Sequence, residues 1–106
     1  MREITIITPV YNDWEAFTLL LSEIENVASE KALSVRVIAV NDGSVHLPEM
    51  MIEGGNIASV EIMHLSRNLG HQRSIAVGLS ALYKRGETHV PIIVMDCDGE
   101  DRQADI

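Results

Sequence analysis

The sequence predicts an α/β domain, a mostly parallel sheet with helices on both faces. Three observations lead there. Four short runs, residues 4–8, 35–40, 60–65 and 91–95, are dominated by β-branched and aliphatic side chains, as strands covered on both faces are. Two of the intervals between them carry apolar residues at helical spacing. A polar, charged or glycine-bearing segment follows each strand directly.

Taken in order, Ile4, Thr5, Ile6, Ile7 and Thr8 form a mostly β-branched first strand. Asn12 or Asp13 can cap a helix whose apolar positions Trp14, Phe17, Leu21, Ile24 and Ala28 step by three or four. Residues 35–40 are the second strand. Residues 60–65 are the third, with Glu61 marking a less completely buried position. A second amphipathic helix follows Gly70, with Ile75, Leu79 and Leu82 on one side and Gly86 placed to end it. Residues 91–95 are a short, wholly apolar and buried fourth strand. Right-handed crossovers then put every strand's carboxyl end on one edge, where open α/β sheets bind their ligands.

Composition narrows the function. The 106 residues suffice for one domain with a modest core, and 46% hydrophobic content excludes a disordered chain. Sixteen acids against eight bases give a net charge of -8, which argues against nonspecific nucleic-acid binding. The lone Cys97 has no intrachain disulfide partner and fits a reducing, cytoplasmic setting. Residues 4–7 are too short for a signal-peptide core. No apolar run approaches the roughly 20 residues a membrane helix needs, so membrane association would come through other regions.

The chemistry-bearing residues gather past the strand ends. Asp96 and Asp98, two apart after the fourth strand, can share a hard cation such as Mg²⁺ or Mn²⁺; the alternative is a solvated acidic turn. An EF-hand is excluded, because Gly99 falls at loop position four and a strand precedes the loop. Asp42 can accept a hydrogen bond from a base or ribose, or simply belong to an Asp-Gly turn. Arg67, His71 and Arg73 surround the start of the second helix, where free N–H groups and the dipole favour a diphosphate; the plainer reading is an exposed arginine pair. Gly70 permits close backbone approach or serves only to enter the helix. Tyr11 can stack on a base or pack. Trp14 and Phe17 read as core, and His46, His64 and His89 as structural. Cys97, flanked by carboxylates, is a poor nucleophile. Neither a dinucleotide fingerprint nor a Walker loop is present.

Four segments together resemble family 2 (GT-A fold) glycosyltransferases, in the branch similar to polyprenol-phosphate sugar transferases. They are residues 7–13 (with Thr8, Pro9, Tyr11, Asn12 and Asp13), 40–44 (Asn41, Asp42, Gly43, Ser44), 66–70 (Ser66, Arg67, Asn68, Gly70) and 95–101 (Asp96, Asp98, Glu100, Asp101). The resemblance implies the N-terminal half of a Rossmann-like GT-A sheet that binds a nucleotide-diphosphate sugar. Pro9, Tyr11 and Asp13 would line the base pocket and Asp42 would bond the base. Arg67, Asn68 and Gly70 would lie near ribose and diphosphate. Asp96 and Asp98 would hold ribose and Mg²⁺ or Mn²⁺. Asp13 stands where the family more often has Glu, Asn41 where it often has Asp, and Glu100 where it often has Gln. The complete enzyme would transfer sugar with inversion to a lipid phosphate or glycan. Its general base is expected beyond Ile106, which makes the chain by itself inactive. Two other readings are a non-catalytic nucleotide-binding or interaction module and a phosphoacceptor receiver domain. The receiver fits less well, because Leu65 leads into Ser66 and Arg67 and the last segment holds no Lys.

Overall fold

The computed structural model describes residues 2–44, 55–87 and 89–96. Its elements run β1 (Arg2–Val10), α1 (Trp14–Lys31), β2 (Leu33–Asn41), β3 (Ile57–His64), α2 (His71–Lys84) and β4 (Ile92–Val94). The strands form one sheet in the order β3-β2-β1-β4, and every pairing is parallel.

Alternation along the strands divides the core into two layers. Ile4, Ile6 and Val10 of β1, with Val35, Val37 and Ala39 of β2, face α1. There they meet Trp14, Phe17, Leu20, Leu21, Ile24 and Ala28. Trp14 and Phe17 pack edge to face, 5.9 Å between ring centroids. On the opposite face Ile7, Ile38 and Val40 pack with Leu82 of α2. Each helix therefore covers one face of the sheet, as the sequence predicts.

Asp13 caps α1, its Oδ1 accepting the Ala16 N–H at 3.1 Å. Ala32 ends the helix in the left-handed region (φ 55°). α2 packs on the sheet through the expected Leu82, with Leu79 against the same cluster, and through two small residues besides. Ser74, Gly78 and Leu82 are its buried residues, whereas Ile75 and Leu79 are only partly covered. A Cβ at Gly78 would run into Ile7 Cδ1 and Val40 Cγ2. The bare glycine thus lets the helix settle onto the sheet through its smallest residues.

β4 departs from expectation. It spans three residues and, among the described residues, pairs with β1 alone, leaving Val94 43% exposed. An edge position explains this, because an apolar run is buried only where neighbours cover it. Along the chain, β1 to β3 step outward in one direction, and β4 then returns to the far side of β1. That reversal makes the carboxyl ends of β1 and β4 the topological switch point, where such sheets open a crevice. Among the described residues, no helix is long and apolar enough to cross a membrane.

Candidate functional site

The site is built from the turns at the carboxyl edge. After β1, Tyr11 is 44% exposed and Pro9 is buried. Asn12 takes a left-handed conformation (φ 61°), which asparagine tolerates better than most residues. Its backbone N–H thereby reaches Ser44 Oγ at 2.8 Å. Asp13 uses one carboxylate oxygen on the helix cap.

The turn after β2 ties its neighbours together. Asn41 accepts the Ser44 N–H through Oδ1 at 2.9 Å, and its Nδ2 lies 2.9 Å from His64 Nδ1 at the end of β3. With Oδ1 so engaged, Nδ2 is the donor and His64 Nδ1 the unprotonated acceptor. Asp42 is fully buried, its N–H bonded to Val10 O at 2.8 Å. Its carboxylate accepts the N–H groups of Leu69 (2.7 Å) and Gly70 (3.0 Å) and Asn68 Nδ2 (3.1 Å). The Asp42 carboxylate thus binds the chain's own 68–70 segment. Gly43 (φ 73°) sits so close to Arg67 and Asn68 that a Cβ would overlap their backbone atoms.

Gly70 opens α2 at φ 90° with no side-chain cap, so first-turn N–H groups stay available for an anion. Arg67 and Arg73 are exposed on either side. His71 Nδ1 lies 3.7 Å from Asp96 Oδ1, joining the start of α2 to the end of β4. The two side chains are about half exposed, so their attraction is weak.

Among the described residues, no three His, Cys, Asp or Glu side chains cluster as a metal cage. Asp98, Cys97, Glu100 and Asp101 lie outside the described residues, as does His46. The donor chemistry nevertheless suits Mg²⁺ or Mn²⁺. Asp96 offers an accessible hard oxygen ligand, and Mg²⁺ is commonly held by one or two carboxylates plus substrate phosphates.

The strongest charge cluster lies away from this edge. Arg36, early in β2, bonds Glu61 at 3.0 Å and Glu87 at 2.6 Å, and Arg85 bonds Glu61 at 2.6 Å. Hydrogen bonding from Arg85 and Arg36, with their positive charge, holds the Glu61 carboxyl below its ordinary value. This network fastens the carboxyl end of α2 to the sheet.

Sequence reasoning about the edge left Asn41 and Ser44 without a role beyond the motif, and read His64 as structural. Helical or strand periodicity cannot reveal such roles, because they depend on which turns the sheet order brings together.

The profile described as Glycosyl transferase family 2 matches residues 5–106 of the chain. The chain belongs to glycosyl transferase family 2. It is 28% identical to an uncharacterised glycosyltransferase of Synechocystis, over 93% of this chain and 30% of that protein. A prophage bactoprenol glucosyl transferase homolog of Escherichia coli and the bactoprenol glucosyl transferase of Shigella phage SfX are each 27% identical, over 87% of this chain and 30% of theirs. The chain thus spans about 30% of the length of these relatives. Use of a divalent metal is general in the family. The parallel sheet with a helix on each face is the α/β architecture expected of a family 2 fragment.

Proposed function

We propose that the chain is the donor-binding part of a family 2 glycosyltransferase, holding a nucleotide-diphosphate sugar and Mg²⁺ or Mn²⁺ at the carboxyl edge of the sheet. The complete protein would pass the sugar, with inversion, to a lipid phosphate or glycan acceptor on the cytoplasmic side. The observation that carries this reading is the joining of three separate turns and the end of β4 into one surface at the β1/β4 switch point.

In this reading Pro9, Tyr11 and Asp13 form the base side, the exposed Tyr11 ring offering a stacking face. Arg67, Asn68 and Gly70, with the uncapped start of α2, hold ribose and diphosphate. Asp96 and Asp98 hold ribose and the metal. A bound Mg²⁺ or Mn²⁺ supplies charge neutralisation at the departing diphosphate. The cationic side chains Arg67 and Arg73 and the absence of an acidic residue in the first turn of α2 support an anion there, with the metal offsetting the nearby Asp96 carboxylate. The base that deprotonates the acceptor is expected outside these 106 residues.

The test is a titration of the purified protein with UDP, GDP, CDP and ADP, in Mn²⁺ and in chelator, followed by thermal unfolding and Trp14 fluorescence. Trp14 is the single tryptophan and sits three residues from Tyr11. A nucleotide at 100 times its Kd adds about 2.7 kcal/mol, a shift on the order of 10 °C for a domain this small. A metal-dependent shift for one nucleotide, removed by Asp98→Ala, is expected. A cooperative melt unmoved by every nucleotide would sink the proposal and favour a non-catalytic module.

A further inference from the structure

Ser44 stands at the carboxyl edge of the sheet and is held there from below. Its N–H donates to Asn41 Oδ1 at 2.9 Å. Asn41 is itself buried, its Nδ2 2.9 Å from His64 Nδ1 and its carbonyl accepting the N–H groups of Gly43 (2.9 Å) and Leu65 (3.0 Å). From that fixed base the Ser44 hydroxyl reaches across 32 residues of sequence and accepts the Asn12 N–H at 2.8 Å. Asn12 lies where the chain passes from β1, which ends at Val10, to Asp13, the cap of α1. It makes this turn in a left-handed conformation (φ 61°), which is strained for L-residues and mildest for asparagine. A residue keeps such dihedrals only where its surroundings hold them, and the Ser44 contact is one such hold. Tyr11, the exposed aromatic next to Asn12, leaves the sheet in the direction that this turn sets.

We propose that Ser44 is a positioning residue, whose hydroxyl holds Asn12 in the left-handed conformation and thereby sets Tyr11 against the base of the bound nucleotide. This rests on the donor-binding reading, in which the Tyr11 ring is the stacking face. Asn41 serves the same end by fixing the turn from which Ser44 reaches. Loss of the hydroxyl should weaken every ligand that carries a base, nucleoside and nucleotide alike. Inorganic pyrophosphate, which has no ring to stack, should be spared. The loss should also matter only while Tyr11 is present. A hydroxyl that merely stabilised the fold would not separate the two kinds of ligand. One that touched the ligand itself would keep its effect when Tyr11 is gone.

The experiment compares Ser44→Ala, which removes the acceptor, with Ser44→Thr, which retains it. The first readout needs no ligand: amide exchange at Asn12, referenced to Ile38 in the core. Exchange is expected to rise about tenfold in the alanine variant, the equivalent of one net hydrogen bond, and to stay at the parent level in the threonine variant. The second readout is binding of UDP, GDP, CDP and their nucleosides, and of inorganic pyrophosphate, all in Mn²⁺. Ser44→Ala is expected to weaken each base-bearing ligand about fivefold or more, with pyrophosphate unchanged and threonine restoring the parent affinity. In a Tyr11→Ala background the same Ser44→Ala change should cost nothing further. Unaltered exchange at Asn12, an equal loss for pyrophosphate, or a full loss that persists without Tyr11 overturns the assignment. If the parent protein binds no base-bearing ligand, the donor-binding reading fails, while exchange at Asn12 and its rescue by threonine still decide whether Ser44 holds the turn. If Ser44→Ala does not fold, Ser44→Cys, with sulfur a weak acceptor in place of oxygen, takes its place in both readouts.

Discussion

Thr8 lies fully buried near the carboxyl end of β1, and its hydroxyl has no hydrogen-bond partner among the described residues. A buried unsatisfied hydroxyl costs stability that a methyl group of the same shape does not. Thr8→Val is therefore expected to raise unfolding stability by about 1 kcal/mol, measured by denaturant titration; a loss of stability would show that the hydroxyl has a partner after all. Gly78 is the opposite case. Its missing side chain is occupied by Ile7 and Val40, so Gly78→Ala forces the helix away from the sheet. Overpacking of this kind costs about 1–3 kcal/mol, more than the gain in helix propensity that alanine brings in an open position. A variant as stable as the parent in the same titration would mean that α2 can shift at no cost.

At the scale of elements, helix ends and charge clusters are the informative features. Ala32 closes α1 in the left-handed region, where a Cβ is strained and glycine is the usual occupant. Ala32→Gly should stabilise the protein by about 1 kcal/mol. A lowered melting temperature would contradict the cap geometry. The network of Arg36, Glu61, Arg85 and Glu87 makes a pH-dependent contribution. Glu61 has its carboxyl depressed from an ordinary value of 4.5. Its stabilising effect is therefore complete above that value and lost as pH falls through the lower folded-state value. The arginines stay charged throughout. Glu61→Gln should be less stable than the parent at pH 7, with the gap closing as pH falls below 4.5 and shrinking in high salt. A gap independent of pH would assign the effect to packing. The network's side chains are about a third exposed, so water and salt screen it and the effect is small.

These elements also show what could be read from the chain. The apolar stripe of α1 was legible because Trp14, Phe17, Leu21, Ile24 and Ala28 repeat at the period of the helix, and all are buried. Strand cores were legible from β-branching, but their ends were not. β1 and β2 extend past the apolar runs because Arg2, Glu3 and Asn41 join the ladder through backbone groups alone. The apolar side of α2 was legible from Leu79 and Leu82, which pack on the sheet, but the burial of Ser74 and Gly78 was not, because close approach selects small residues that hydrophobicity does not weight. Gathering of the polar motifs at one edge followed from parallel topology. The inward aim of Asp42 did not, since a sequence gives no direction for a side chain in a turn.

At the scale of the whole molecule, the sheet order sets a gradient of stability. β2 is paired on both sides and buried along most of its length, while β4 is three residues held, among the described residues, by β1 alone. Amides of β4 and of Met95 just past it, whose N–H bonds Ile7 O at 3.0 Å, should exchange faster than those at the centre of β2, through local opening. Equal protection would mean that the sheet opens only as a unit.

The same order has a kinetic side. Ile6 pairs with Val37 on one flank and with Ile93 on the other. Closing the longer loop adds only about 1 kcal/mol of chain entropy. It also requires the chain to cross back over β2 and β1, and the three-residue strand that results offers few contacts in return. The Asn12–Ser44 contact joins segments of the β1-α1-β2 unit and needs no part of the chain beyond Ser44. Asp96 arrives beside His71 only when β4 docks. Until β4 docks, the chain carries the Asn12–Ser44 junction without Asp96 beside His71.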